Sequence, residues 1–74
     1  MKKKISIILP VFNEEKSIQP LFGLLKEKQA VLGCNLEIIY IDDGSTDKSL
    51  EKMKDVKKKK IKNIHVKIIS FVDN

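Results

Sequence analysis

The chain has 74 residues, which allows at most one small domain with a limited hydrophobic core. It carries 15 lysines, no arginine and 10 acidic residues, for a formal net charge of +5. Its single cysteine, Cys34, excludes an internal disulfide and fits a reducing, intracellular setting. The first apolar run is short and ends at Pro10, unlike that of a signal peptide, and no stretch is long enough to cross a bilayer. We therefore expect a soluble, cytoplasmic protein.

Five of the lysines cluster at positions 57–60 and 62. Such a run can bind nucleic acid or an anionic membrane. The absence of arginine and of interleaved aromatic residues favours a solvated helix end instead, where cations interact well with the negative helix terminus. We expect no nucleic-acid partner, and binding of an anionic polymer through Lys57–Lys60 is the weakest of three functional hypotheses.

The first predicted elements are a strand and a helix. The continuous apolar run Ile5–Val11 predicts a buried strand. Ser17 is favoured as the N-cap of a helix that has Pro20 in its first turn, and Gly33 ends it. The following residues fall near helical spacing and are predicted to face the core: Ile18, Leu21, Phe22, Leu25 and Leu32.

A second strand is predicted over Leu36–Ile41, followed by a helix opened by Ser45 or Thr46 that runs to about Lys57. This helix should bury Leu50, Met53 and Val56. The run Ile64–Phe71 predicts a third strand.

The order β-α-β-α-β, with connections of helix length, predicts three parallel strands joined by right-handed crossovers. Two such crossovers in one direction would place both helices on one face of the sheet and leave the other face bare. An apolar bare face is an interaction site or an aggregation hazard. We therefore interpret residues 1–74 as a single partial domain, the opening half of a larger α/β domain.

Two adjacent acids, Asp42 and Asp43, stand at the end of the second strand. Like charges in a partly desolvated place are costly, so stability alone would not select them. Ligands of open α/β sheets bind outside the carboxyl ends of the strands, which makes this pair the primary functional prediction. The turn Pro10–Glu14 should present backbone N–H groups, an amide and a carboxylate at the same edge. Neither glycine-rich phosphate-binding pattern occurs, which excludes dinucleotide and P-loop sites of those types.

Each of these residues also has a structural interpretation. Asp43 could cap the following helix while Asp42 faces water, Asn13 and Glu14 could serve helix entry, and Phe12 could belong to the core. Three other residues are interpreted as structural: His65, Cys34 and Tyr40.

Two blocks carry a family resemblance, Ile5–Glu15 and Ile39–Asp47. In this order and spacing they resemble the start of a family 2 glycosyltransferase of the GT-A fold, a family that includes polyprenol-phosphate sugar transferases. The similarity runs from about Ile5 to Asn74. It implies a Rossmann-like half of a GT-A domain.

The resemblance also implies a nucleotide-sugar donor and transfer of its sugar to an acceptor hydroxyl with inversion. Residues matching the nucleotide pocket of the family are Pro10, Phe12, Asn13, Glu14, Asp42 and Asp43. Of these, Asp43 would meet the base and Asp42 would support the pocket, while Ser45 and Asp47 would shape the turn and cap the helix.

In the family, the metal-binding Asp-x-Asp and the acceptor base lie downstream of the matched region. The chain itself is thus expected to hold no catalytic residue, metal site or cofactor, to be truncated and to be inactive alone, although a full-length relative would use Mg²⁺ or Mn²⁺. Full-length relatives often act at the membrane, so peripheral association is compatible with the resemblance. The alternative is a small interaction module that self-associates, or pairs with a missing C-terminal half, through the bare sheet face.

Overall fold

The computed structural model describes residues 3–71 and contains five elements in the predicted order. They are β1 (Lys4–Val11), α1 (Ile18–Leu32), β2 (Asn35–Asp42), α2 (Ser49–Lys58) and β3 (Ile64–Ser70). Most predicted boundaries are correct to within one residue. The start of α2 is wrong, because the helix begins three to four residues after Ser45 and Thr46. Residues 72–74, the end of the span that carries the family resemblance, lie outside the described residues.

The three strands form one sheet in the order β1-β2-β3, and both pairings are parallel. Val11 pairs with Asp42, which in turn pairs with Ser70, so all three strands end at the same level. The predicted three-stranded parallel β-α-β-α-β sheet is confirmed.

Alternate residues of each strand face the helices and form the core. Ile38 and Tyr40, in the central strand, are 0% and 1% exposed, and Met53 and Val56 of α2 pack against this face. Tyr40 is thus a core residue, as predicted. Burial raises the pKa of Tyr40, and its hydroxyl has no hydrogen-bond partner within the described part of the chain.

The opposite face of the sheet is open in residues 3–71, as predicted. Ile8 of β1 is 60% exposed and Ile69 of β3 is 47% exposed, whereas their strand neighbours on the helix side are more buried. Toward the amino ends of the strands this face turns polar. There the Ser6 hydroxyl donates to the Glu37 carboxylate (3.0 Å), which is the main cause that lowers the pKa of Glu37.

Helix α1 buries Ile18 and Phe22 as expected. The predictions for Leu21 and Leu32 are wrong, because both side chains are exposed, and Gln29 is buried instead. Gln29 follows Phe22 by nearly two full turns and so returns to the same face, while Leu32 is rotated from Phe22 by about 80°. The buried amide of Gln29 is satisfied because its Nε2 donates to the carbonyl of Cys34 at 2.8 Å.

The ends of α1 follow the predicted residues with one difference in chemistry. Ser17 immediately precedes the helix, but its hydroxyl donates to Glu14 Oε2 (3.3 Å) instead of capping a backbone N–H. Gly33 ends the helix with a φ of 61°, a left-handed conformation that glycine adopts without Cβ strain.

Candidate functional site

The loops after β1 and β2 meet at the carboxyl edge of the sheet. The strand pairing continues past their ends, because the N–H of Asp43 donates to the carbonyl of Val11 at 2.9 Å. The N–H of Phe71 likewise donates to the carbonyl of Asp42 at 2.9 Å. All six residues of the predicted nucleotide pocket lie in the last residues of β1 and β2 or in the loops directly after them. The structure therefore brings them to one edge of the sheet.

Asn13 connects the two loops. Its Oδ1 accepts hydrogen bonds from the N–H groups of Thr46 (2.8 Å) and Asp47 (3.2 Å). Its backbone has a φ of 52°, a left-handed conformation that asparagine tolerates better than most residues. Its Nδ2 group makes no hydrogen bond to any residue from 3 to 71. The side chain thus holds the second loop with one atom and leaves a donor available with the other.

Two serine hydroxyls bind the first loop from the other side. Ser45 Oγ accepts from the N–H of Asn13 (3.0 Å), and Ser49 Oγ accepts from the N–H of Glu14 (2.8 Å). Ser49 is fully buried, and the sequence interpretation missed it. The run of small hydroxyl and acidic residues after Gly44 was the pattern that could have indicated it, because such side chains replace backbone partners in turns.

The two adjacent acids have different environments. Asp42 is 0% exposed, and its carboxylate accepts from the N–H of Ser45 (3.0 Å) and from the hydroxyl of Ser70 (3.4 Å). Asp43 is exposed, and its carboxylate makes no hydrogen bond to the described residues. The structural alternative in which Asp42 faces water is thus wrong, because the buried acid is the one that organises the turn.

Helix α2 is preceded by Asp47 instead of being capped by Asp43. Asp47 Oδ1 accepts from the N–H of Ser49 (2.8 Å), and Oδ2 accepts from the N–H of Glu15 (3.3 Å). The N-cap residue of α2 is Lys48, which has no side-chain cap, so the expectation that Asp47 caps the helix is wrong; Asp47 instead holds the N–H of Ser49 from the position before the cap. The carboxylate of Asp43 therefore has no structural role at the helix end.

Three further residues of the predicted pocket lie at the end of β1 and in the loop that follows it: Pro10, Phe12 and Glu14. Phe12 is 56% exposed, so the alternative that it belongs to the core is wrong. Pro10 and Glu14 border a groove of about 200 Å³ between β1 and the start of α1, with Tyr40 in its wall. An exposed aromatic ring, a carboxylate and a groove thus lie together at this edge.

Asp47 makes stability depend on pH below neutrality. Desolvation raises its pKa, but the hydroxyl and N–H of Ser49 and the N–H of Glu15 outweigh this and hold the pKa below the ordinary value of 3.8. Because the folded-state pKa is depressed, the contribution is complete above the unfolded pKa and is lost as pH falls through the folded pKa. We expect wild-type stability to drop below about pH 4. Asp47→Asn should flatten this drop in urea titrations at pH 7 and pH 3, and an unchanged pH slope would contradict the assignment.

The described residues do not supply a metal site. No group of three or more His, Cys, Asp and Glu side chains converges within residues 3–71. At the carboxyl edge, Asp42 and Asp47 already accept backbone N–H bonds, which leaves Asp43 and Glu14 as the exposed carboxylates. These two carboxylates do not make a ligand set for the Mg²⁺ or Mn²⁺ that is expected for a full-length relative.

The exposed groups at this edge suit a planar, polar ligand. The Asp43 carboxylate can accept from an N–H or hydroxyl group, the Asn13 Nδ2 can donate, and the Phe12 ring offers an apolar surface. The backbone around them is held by the hydrogen bonds between the two loops. The arrangement can bind and orient a ligand.

Neither helix within residues 3–71 has the length and apolarity of a membrane span.

Comparison with known proteins places the chain in a family. The family model described as glycosyl transferase family 2 matches residues 6–74. An uncharacterized glycosyltransferase of Synechocystis sp. is 35% identical over 74 residues, which is 100% of this chain and 22% of that protein. An undecaprenyl-phosphate 4-deoxy-4-formamido-L-arabinose transferase of Klebsiella pneumoniae is 45% identical over 47 residues, or 64% of this chain and 14% of that protein.

A Salmonella paratyphi B transferase with the same name is 43% identical over 51 residues, which cover 69% of this chain and 16% of that protein. The chain thus spans less than a quarter of the length of each of these relatives. No solved structure matches it significantly. The parallel β-α-β-α-β sheet agrees with the Rossmann-like half of a GT-A domain, and the match over residues 6–74 shows that this chain belongs to glycosyl transferase family 2.

Proposed function

We propose that this chain is the donor-binding half of a family 2 glycosyltransferase and binds a nucleotide-sugar at the carboxyl edge of its sheet. The observation that carries the proposal is the separation of the two acids. Asp42 is buried and accepts two internal hydrogen bonds, whereas the exposed carboxylate of Asp43 accepts none from residues 3–71 and stands at the same sheet edge as the exposed Phe12. The hydrogen bonds of Asp42 are sufficient to hold the turn after β2, so the turn does not require a carboxylate at Asp43.

Each residue of the proposed pocket has a distinct role. Asp43 accepts from the nucleobase, Asn13 donates from Nδ2, and Phe12 packs against a planar group. Asp42 supports the pocket indirectly by holding the N–H of Ser45, and it does so from the core. Two residues border the adjoining groove, Pro10 and Glu14.

The reaction we propose for the full-length protein is transfer of the sugar to an acceptor hydroxyl with inversion. It requires charge stabilisation of the leaving diphosphate and a base for the acceptor, neither of which the described residues provide. We infer that the described residues bind the donor but do not catalyse transfer by themselves. Relatives named as undecaprenyl-phosphate transferases support our proposal that the full-length protein associates peripherally with the membrane.

The donor site can be tested by titrating ¹⁵N-labelled protein with uridine, guanosine, cytidine and thymidine diphosphates. We expect one of them to shift the amide resonances of residues 11–14 and 42–46, because these backbone groups surround the proposed pocket. Asp43→Ala should weaken binding by about tenfold or more, since it removes a charge-assisted hydrogen bond.

The matched control for this titration is Asp55→Ala, which removes one acid from α2, away from the carboxyl edge. Its affinity should equal that of the wild type. Equal affinities for the Asp43 variant and the wild type would refute the pocket, and so would the absence of shifts with all four diphosphates.

A second candidate function is self-association through the open sheet face. It is favoured by the exposure of three large apolar side chains on or beside that face: Ile8 (60%), Ile69 (47%) and Phe71 (65%). Such a surface is stabilised by burial against a partner. Light scattering should then show a dimer that Ile8→Lys converts to a monomer, while Val31→Lys on α1, which is 82% exposed, leaves it intact. A wild-type monomer at high concentration would eliminate this function.

A further inference from the structure

A second cavity lies at the opposite end of the molecule from the proposed donor site. Its volume is about 360 Å³, and it opens at the edge of β3 that pairs with no other described strand. It is formed where α2 ends and β3 begins, so it is separated from the carboxyl edge by the length of a seven-residue strand, about 20 Å.

The cavity combines an apolar wall with a basic rim. The wall includes Phe22 and Val56, which are 3% and 1% exposed. Two lysines line the opening, Lys57 and Lys60. His65 also borders it, but the alternation of β3 turns the His65 side chain to the open face, beside its register partner Glu37. No carboxylate lines it, so the positive charge of the rim is not neutralised from within the cavity.

The surrounding segment strengthens this positive field. Residues 56–66 contain five lysines and one histidine but no acid. The Lys59 ammonium lies 5.8 Å from the centroid of the Phe22 ring, within the range of a cation–π contact. A further cation is thus held beside the apolar wall.

The turn that carries Lys60 has an uncommon backbone. Lys60 and Asn63 have φ values of 48° and 66°, a left-handed backbone conformation that residues other than glycine adopt less often. Lys60 directly follows the C-cap residue of α2, where a left-handed residue commonly ends a helix. The N–H of Ile64 donates to the carbonyl of Ile61 at 3.1 Å and closes the next turn, which contains Asn63.

We propose that this cavity binds a phosphate ester that carries an apolar group. The phosphate lies against Lys57 and Lys60, and the apolar group lies on Ile61, over the buried Phe22 and Val56. Lysine binds phosphate as a point charge, and two ammonium groups match a dianionic phosphate better than a carboxylate with one charge. Both a soluble ester and the headgroup of an anionic lipid have this chemistry.

The site shares no residue with the proposed donor pocket, so its test is independent of the proposed function. Phenyl phosphate is the first probe, and it should shift the amide resonances of Val56, Ile61 and Val66 in the ¹⁵N spectrum. Inorganic phosphate should bind about tenfold more weakly, because it does not contact the apolar wall. Equal affinities for the two probes would overturn the proposal.

Two double variants with the same net charge separate the cavity from the general basic surface. Lys57→Gln with Lys60→Gln removes two rim cations and should weaken phenyl phosphate binding by about tenfold or more. Lys58→Gln with Lys62→Gln removes two neighbouring lysines that do not line the cavity and should leave the affinity within about twofold. Equal losses would overturn the proposal, and the dispersion of each spectrum verifies that both variants are folded.

Vesicles identify the source of the phosphate ester. Vesicles that contain phosphatidic acid should displace phenyl phosphate if the ligand is a lipid headgroup, whereas pure phosphatidylcholine vesicles should not. Binding of phenyl phosphate without such displacement indicates a soluble ester. If neither phenyl phosphate nor phosphatidic acid vesicles shift the cavity resonances, the proposal is wrong.

Discussion

Replacing Ile38 by alanine will destabilise the protein by about 3–4 kcal/mol, whereas the same change at the next residue, Ile39, will cost about 1 kcal/mol. Ile38 is 0% exposed and faces the helices, while Ile39 is only partly buried on the open face. The first change leaves a cavity between sheet and helices. The second change removes a side chain from the open face of the sheet, which no other element within residues 3–71 covers.

The pair is a matched comparison because residue type, strand and chain position are nearly the same. Urea unfolding of both variants at neutral pH measures the difference directly. For a chain of this length, total stability is on the order of 4–11 kcal/mol, so the Ile38 variant should lose a large fraction of it. Equal losses at the two positions would show that the open face is covered in solution, as self-association would require.

Replacing Asp42 by alanine will cost about 3 kcal/mol, because the change removes a fully buried carboxylate that accepts two hydrogen bonds. The N–H of Ser45 then loses its acceptor in a buried position. Asp42→Asn retains an oxygen acceptor of the same shape and should cost about 1 kcal/mol. The same urea titration compares the two variants.

Asp43→Ala is the control for this prediction, because its exposed carboxylate holds no part of the turn. We expect its stability to lie within about 0.5 kcal/mol of the wild type. A loss at Asp43 as large as that at Asp42 would contradict the division of roles between the two acids.

Much of the fold could be predicted because hydrophobic periodicity and helix-ending residues are local properties of the chain. The strand Ile5–Val11 and the end of α1 at Gly33 are examples of such local control. The start of α2 could not be predicted in this way. Ser45 is a good N-cap residue, but its hydroxyl is used by the N–H of Asn13 in the other loop, and the helix begins only at Ser49.

The candidate site shows the same limit. Composition and order placed an acidic pair and the Pro10–Glu14 turn at one sheet edge, and the predicted pocket residues do lie at that edge. Which of the two acids faces the core depends on which face of β2 the helices cover. Their different exposure follows from the pleat of β2, which turns one residue toward the core and the next away from it.

The sequence by itself determined the element order, the parallel sheet, the open face and the family, because apolar runs, helix-ending residues and short motifs consist of consecutive residues. Only the tertiary structure decided which acid is buried, that Ser49 and Asn13 join the two loops, and that Phe12 is exposed. The connection between the two loops depends on hydrogen bonds between residues more than thirty positions apart. Such partners are chosen by the register of the strands and not by the neighbours of each residue in the chain.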